Sequence, residues 1–121
     1  MSTRCNIHFG DRRDGVFVTE ANVYRHSDGY PDSQHGVPAS LERFFAAVKE
    51  QTSDTRFNDP SYLAAKFVVW QAGEYASNGK PLDFLSVGIM AQDAGDAAYI
   101  YEVDSNKLDA NGNPTVIYRE A

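Results

Sequence analysis

Apolar and polar residues alternate through Cys5-Asn6-Ile7-His8-Phe9, the period of a strand with one buried face. Cys5, Ile7 and Phe9 are expected to face a core, and Asn6 and His8 to face away from it. The charged run from Gly10 to Gly15 ends in Asp-Gly, a hairpin signal. Val16-Phe17-Val18-Thr19 and Ala21-Asn22-Val23-Tyr24 then predict a second strand, with a bulge or bend at Glu20. From His26 to Pro38 an Asp-Gly pair and two prolines forbid regular structure. The period then becomes helical. Leu41, Phe44, Phe45 and Val48 fall on one face, Ser40 is placed to cap that helix, and the stop is expected near residues 51–54. Asp59-Pro60 opens a second helix, apolar on nearly every side from Tyr62 to Ala72, with Asn78-Gly79 as its stop. Strand patterns close the chain at 84–90, 98–103 and 115–118, with turns at 92–96 and 109–114. The order β-β-α-α-β-β-β predicts a single α+β domain over 1–121: a five-stranded antiparallel sheet with two helices packed on one face.

The length, 121 residues, and the 42% hydrophobic content suit one folded domain rather than a disordered chain. The net charge of −6 is uneven. Residues 1–81 hold 10 acidic and 9 basic side chains, and residues 82–121 hold 7 and 2, so the latter carry −5 of the total. That sign disfavours direct nucleic-acid binding and suits a basic protein partner, with Asp104 and Asp109 as the exposed carboxylates of a C-terminal hairpin. No apolar run approaches the roughly 20 residues that span a bilayer. The first residues lack a signal-peptide core, and Cys5 is the single cysteine, so the expected compartment is the cytoplasm, with no membrane contact.

The stretch Tyr24-Arg25-His26-Ser27-Asp28-Gly29-Tyr30-Pro31 concentrates ionisable, aromatic and turn-forming side chains in one place. Tyr24, Arg25, His26, Asp28, Tyr30 and His35 are therefore the candidate binding residues. A histidine oriented by a carboxylate can act as general base, and an arginine can clamp an anion. His26, Asp28 and Arg25 thus form the alternative, catalytic reading, of a small hydrolase or phosphate-ester enzyme. On a purely structural reading Tyr24 packs, Arg25 pairs with a surface acid and Asp28-Gly29 turns the chain. Cys5, His8, His26 and His35 lack zinc-site spacing, and Asp109-Ala110-Asn111-Gly112-Asn113 has its glycine at the wrong position for a calcium loop. No metal and no cofactor are expected. The apolar helix over 63–70 offers a homo-oligomer seam, a further alternative.

Ser2-Thr3-Arg4-Cys5-Asn6-Ile7, together with the Tyr24 to Pro31 stretch, resembles a group of small uncharacterised phage and prophage proteins. These open on a Ser-Thr-Arg-Ala-like run and carry a Tyr-Arg-His-x-Asp-Gly-Tyr-Pro signature. Cys5 stands where alanine is commoner. The resemblance implies a mobile-element origin and a bacterial host cytoplasm, and it assigns no catalytic role. The leading expectation is a non-enzymatic accessory protein that binds a host or phage macromolecule through the loop over residues 25–35.

Overall fold

The computed structural model describes residues 3–76 and 78–121; Ser2, at the head of the N-terminal run, lies outside them. The elements are β1 (Cys5–Arg13), β2 (Val16–Arg25), α1 (Val37–Gln51), α2 (Pro60–Tyr75), β3 (Val87–Ile89), β4 (Tyr99–Leu108) and β5 (Pro114–Glu120), with a short 3-10 turn at Pro81–Phe84. They form one α+β domain whose five-stranded sheet runs β3-β2-β1-β4-β5. Cys5, Ile7 and Phe9 are fully buried, as the alternation predicts, and share one core with both helices. Phe67 of α2 joins the layers, its ring 5.7 Å from Phe9 of the sheet and 5.3 Å, edge-on, from Phe44 of α1.

The sheet is mixed, not purely antiparallel. β1 pairs antiparallel with β2, but it pairs parallel with β4. The turn expected at 92–96 is instead part of a crossover. β3 lies on the outer edge of β2, so residues 90–98 must pass over β2 and β1 before β4 begins. Side chains of the polar face hold that segment down. Asn22 Nδ2 donates to Asp93 Oδ1 at 3.0 Å, His8 Nε2 lies 2.6 Å from the same oxygen, and Asn6 Oδ1 accepts from the Ala94 N–H at 2.9 Å. Asn6 is therefore buried, not solvent-facing. A segment without regular structure supplies the crossover that parallel strands require.

Three further local expectations shift. α1 begins at Val37 with Gly36 as its cap, which leaves Ser40 inside the first turns and buried. α2 begins at Pro60 and ends at Tyr75, ahead of Asn78-Gly79. The strand expected over 84–90 shrinks to β3 because the 3-10 turn takes its start.

The bend at Glu20 is a bulge. Phe9 pairs with Ala21 and Gly10 pairs with Thr19, so Glu20 is left without an opposite residue. Gly10 permits this, since a Cβ there would run into the Val18 carbonyl. Gly10→Ala should destabilise the fold by about 1–3 kcal/mol through that overlap, read as a lowered urea midpoint.

Burial pushes the Cys5 thiol up to about 12, against the opposing charge of Arg25. Burial also raises the Tyr101 phenol. In the unfolded chain these groups ionise near pH 8.5 and near pH 10 respectively. Above about pH 8.5 the unfolded state therefore binds fewer protons than the folded one, and stability falls as pH rises. Denaturation midpoints should decline between about pH 8.5 and about pH 11, and the decline should flatten in Tyr101→Phe. An equal slope in that variant would contradict the assignment.

Candidate functional site

The loop over 26–36 is strapped to the start of β1 and to β4. The Gly29 N–H donates to the Thr3 carbonyl at 2.9 Å, and Tyr101 Oη donates to the Gly29 carbonyl at 2.7 Å. A Cβ on Gly29 would lie 2.8 Å from the Thr3 oxygen and 2.9 Å from Cys5 Cβ, so only glycine lets the backbone come this close. The loop then returns to α1 through the Val37 N–H, which donates to the Tyr30 carbonyl at 3.0 Å.

Arg25 follows Ala21 and Val23 on the helix-facing side of β2, opposite Cys5 and Val87. It is 1% exposed, so the surface ion pair expected of it does not form. Its Nη2 donates to the His35 carbonyl at 3.1 Å and to Tyr75 Oη at 2.9 Å. Tyr75 Oη donates in turn to Asp28 Oδ2 at 3.2 Å, and Tyr30 Oη donates to Asp28 Oδ1 at 2.9 Å. The carboxylate thus compensates the guanidinium through one intervening phenol. The hydrogen bond to Asp28 also holds the Tyr30 phenol above its usual range. Among the described residues Arg25 Nε and Nη1 are buried without partners.

His26 goes elsewhere. Its Nδ1 lies 2.9 Å from Tyr24 Oη and accepts from Arg4 Nε at 3.3 Å, while its backbone N–H donates to the Ser86 carbonyl. His26 and Asp28 share no hydrogen bond: one pairs with Tyr24 and Arg4, the other with Tyr30 and Tyr75. The geometry does not assemble the dyad that the catalytic reading needs. The hairpin carboxylates also differ from expectation. Asp104 is 7% exposed and accepts from the Asn106 N–H. Asp109 is exposed, yet it spends Oδ1 on the N–H groups of Asn111 and Asn113, closing the turn between β4 and β5.

His35 and the exposed Gln34 open onto a cavity of about 430 Å³ between the start of α1 and the end of α2. Arg43 braces one wall, donating to the Gln34 carbonyl at 2.8 Å and to Ser40 Oγ at 3.3 Å, with Nε 3.7 Å from Glu74. Gln71 lines the cavity and is 2% exposed, and among the described residues its Oε1 has no partner. Tyr75 lines it as well and connects it to Arg25. Sequence reasoning missed Gln71, Tyr75 and Arg43. A signal for Gln71 was present: it continues the core series Leu63, Phe67 at helical spacing, where a polar residue is out of place.

Leu63 and Phe67, expected at an oligomer seam, are used inside the chain's own core. Among the large apolar residues of α2, Tyr62 and Val69 are 63% and 74% exposed. Among the described residues no helix is long and apolar enough to cross a membrane. No protein-family model, curated protein or solved structure matches the chain.

If the phenol–carboxylate relay compensates Arg25, breaking it leaves a buried guanidinium with the His35 carbonyl but without the carboxylate that offsets its charge. Asp28→Asn and Tyr75→Phe should each cost about 1–3 kcal/mol, measured by urea denaturation. Arg25→Met, which removes the charge itself, should cost less than either or even stabilise. A larger loss in Arg25→Met than in both others would refute the relay.

Proposed function

We propose that this chain is an accessory protein of phage or prophage type that works in the cytoplasm of a bacterial host by binding a protein partner. The contact surface is the cleft between residues 34–35, α1 and α2. One observation carries this reading: the buried Gln71 amide oxygen has no partner and lines that cleft. A buried acceptor left unmet costs about 1–3 kcal/mol, and an incoming donor removes that cost.

The chemistry of the cleft suits a peptide segment. Donors on Arg43 and Ser40 stand beside acceptors on Gln71 and Glu74, and a peptide backbone offers both kinds of group at each residue. The origin and compartment rest on the sequence resemblance; a single buried, free cysteine accords with a reducing setting. The acidic balance of residues 82–121 favours a partner with a basic surface around the bound segment. Within the hairpin, Asp109 is available for such a surface and Asp104 is not.

Affinity capture from a host lysate tests the reading when the wild-type chain is run beside Arg43→Glu, His35→Ala and Asp109→Asn. Arg43→Glu, which reverses charge at an exposed position of the cleft, should weaken capture of the partner about tenfold or more. Asp109→Asn should have a smaller effect. Capture that survives both Arg43→Glu and His35→Ala unchanged would remove the cleft from the account.

A further inference from the structure

The open face of the sheet carries a second polar cavity, about 430 Å³ in volume, bounded by β1, β2 and the 90–98 segment. Three side chains on its wall form one hydrogen-bonded chain. Asp93 Oδ1 lies 2.6 Å from His8 Nε2, and His8 Nδ1 lies 2.9 Å from Thr19 Oγ1. A carboxylate only accepts, so the imidazole proton sits on Nε2 and the Nδ1 lone pair faces the Thr19 hydroxyl. Asn22 Nδ2 holds Asp93 at 3.0 Å, and the buried Asn6 holds Asn22 at 2.8 Å. Partial burial works to raise the Asp93 carboxyl, but the hydrogen bonds from His8 and Asn22 keep it below its usual range. A hydroxyl within reach of a base, with that base oriented by a third group, is the arrangement of an activated nucleophile.

Pinning the crossover accounts for Asn6, Asn22 and Asp93. It does not account for Thr19, whose hydrogen bond among the described residues is to His8 and not to the 90–98 segment. Nor would Thr19 face His8 in a regular strand. Its alternation with Ala21 and Val23 would turn it toward the helices. The bulge at Glu20 sets Thr19 opposite Gly10 instead, on the side of the sheet that carries His8. Bulges recur beside active sites because they re-aim one side chain in this way.

We infer that Thr19, His8 and Asp93 form a nucleophilic acyl-transfer site for neutral or cationic esters. Thr19 Oγ1 attacks the ester carbonyl carbon while its proton passes to His8 Nδ1. The bond from that carbon to the alcohol oxygen breaks, and the alcohol leaves with the proton. Water then gives a proton to the same nitrogen and attacks the acyl-threonine. The acid departs, and the proton returns to Thr19. Asp93 stabilises the imidazolium formed in each half-reaction, and the Gln92 amide on the cavity wall can donate to the oxyanion. Glu20 on the same wall is paired with Arg13 at 2.7 Å, so Asp93 is the carboxylate beside the hydroxyl, and it disfavours phosphate esters and carboxylated acyl groups.

Incubating the full chain with p-nitrophenyl acetate tests this, with release of p-nitrophenolate followed by absorbance and tryptic peptides mapped by mass spectrometry. The expected result is one acetyl group on the Thr19 peptide, with release lowered about 10²-fold in Thr19→Val and retained in Thr19→Ser. Thr19 is exposed and valine keeps its shape, so an unchanged melting curve separates loss of the nucleophile from loss of the fold. Equal release by Thr19→Val, or acetyl groups confined to lysines or to His35, would overturn the inference and leave the His8–Asp93 contact as a clamp on the crossover.

Discussion

A guanidinium removed from water costs several kcal/mol unless its surroundings replace the lost hydration, and Arg25 makes that demand where sheet, loop and helix meet. Three groups answer it. The loop turns the His35 carbonyl inward, α2 brings the Tyr75 hydroxyl, and Asp28 approaches behind that hydroxyl. Two of these groups come from the loop and one from α2, so the charge ties the order of the loop to the seating of α2. The spacing within Tyr24 to Pro31 follows from this. Arg25 must end β2 on its core side, Asp28 must reach back toward it, and Gly29 must let the backbone lie against β1.

The opposite face of β1 obeys a different constraint. Its neighbours are β2 on one side and β4 on the other, so it has no free edge. The chain reaches β4 by crossing the polar face, and the crossing is held by side chains instead of by a packed helix. Asn6 and Asn22 are buried under it, where each amide must find partners. They find them in each other, in Asp93 and in the Ala94 N–H. The parallel pairing of β1 with β4 is therefore inseparable from a polar network, while the helix side of the same strand is a hydrocarbon core.

The residue pattern made the helix side legible. Cys5, Ile7 and Phe9, and Leu41, Phe44, Phe45 and Val48, are buried as their periods require, because burial of apolar area is what those periods encode. The strand order was not legible. Gln92 to Asp96 has the composition of a hairpin turn, and composition does not distinguish a turn that reverses the chain from a segment that carries it across a sheet. Of the candidate site, the polar loop stood out in the sequence but its contacts did not. The loop does border a cleft, with Ser40 and Arg43 lining it from the turns of α1 that follow, but Gln71 and Tyr75 come from α2, more than thirty residues on. Arg25 and Gln71 could have been flagged, since each is a polar residue standing in phase with a core series. Local reasoning instead paired His26 with Asp28, and that failed because the two leave the end of β2 toward different faces of the sheet.

Stability alone gives a poor account of Arg25. A buried ion pair is often no more stable than apolar residues of the same volume, and replacing it can stabilise by about 1–4 kcal/mol. Among the described residues Arg25 lacks even a direct ion pair, since Asp28 meets it only through Tyr75. Methionine or leucine would fill the space beside Cys5 and Val87 without unmet N–H groups. What such residues would not do is hold the His35 carbonyl and the Tyr75 hydroxyl at fixed positions on the edge of the cleft. The hydrogen bonds of Arg25 tie the loop to α2 beside the cleft, so under the proposed binding role the entropy of ordering that loop is met in folding and not in binding. If the proposed binding role holds, the stability given up at Arg25 is what fixes the edge of the cleft before a partner arrives.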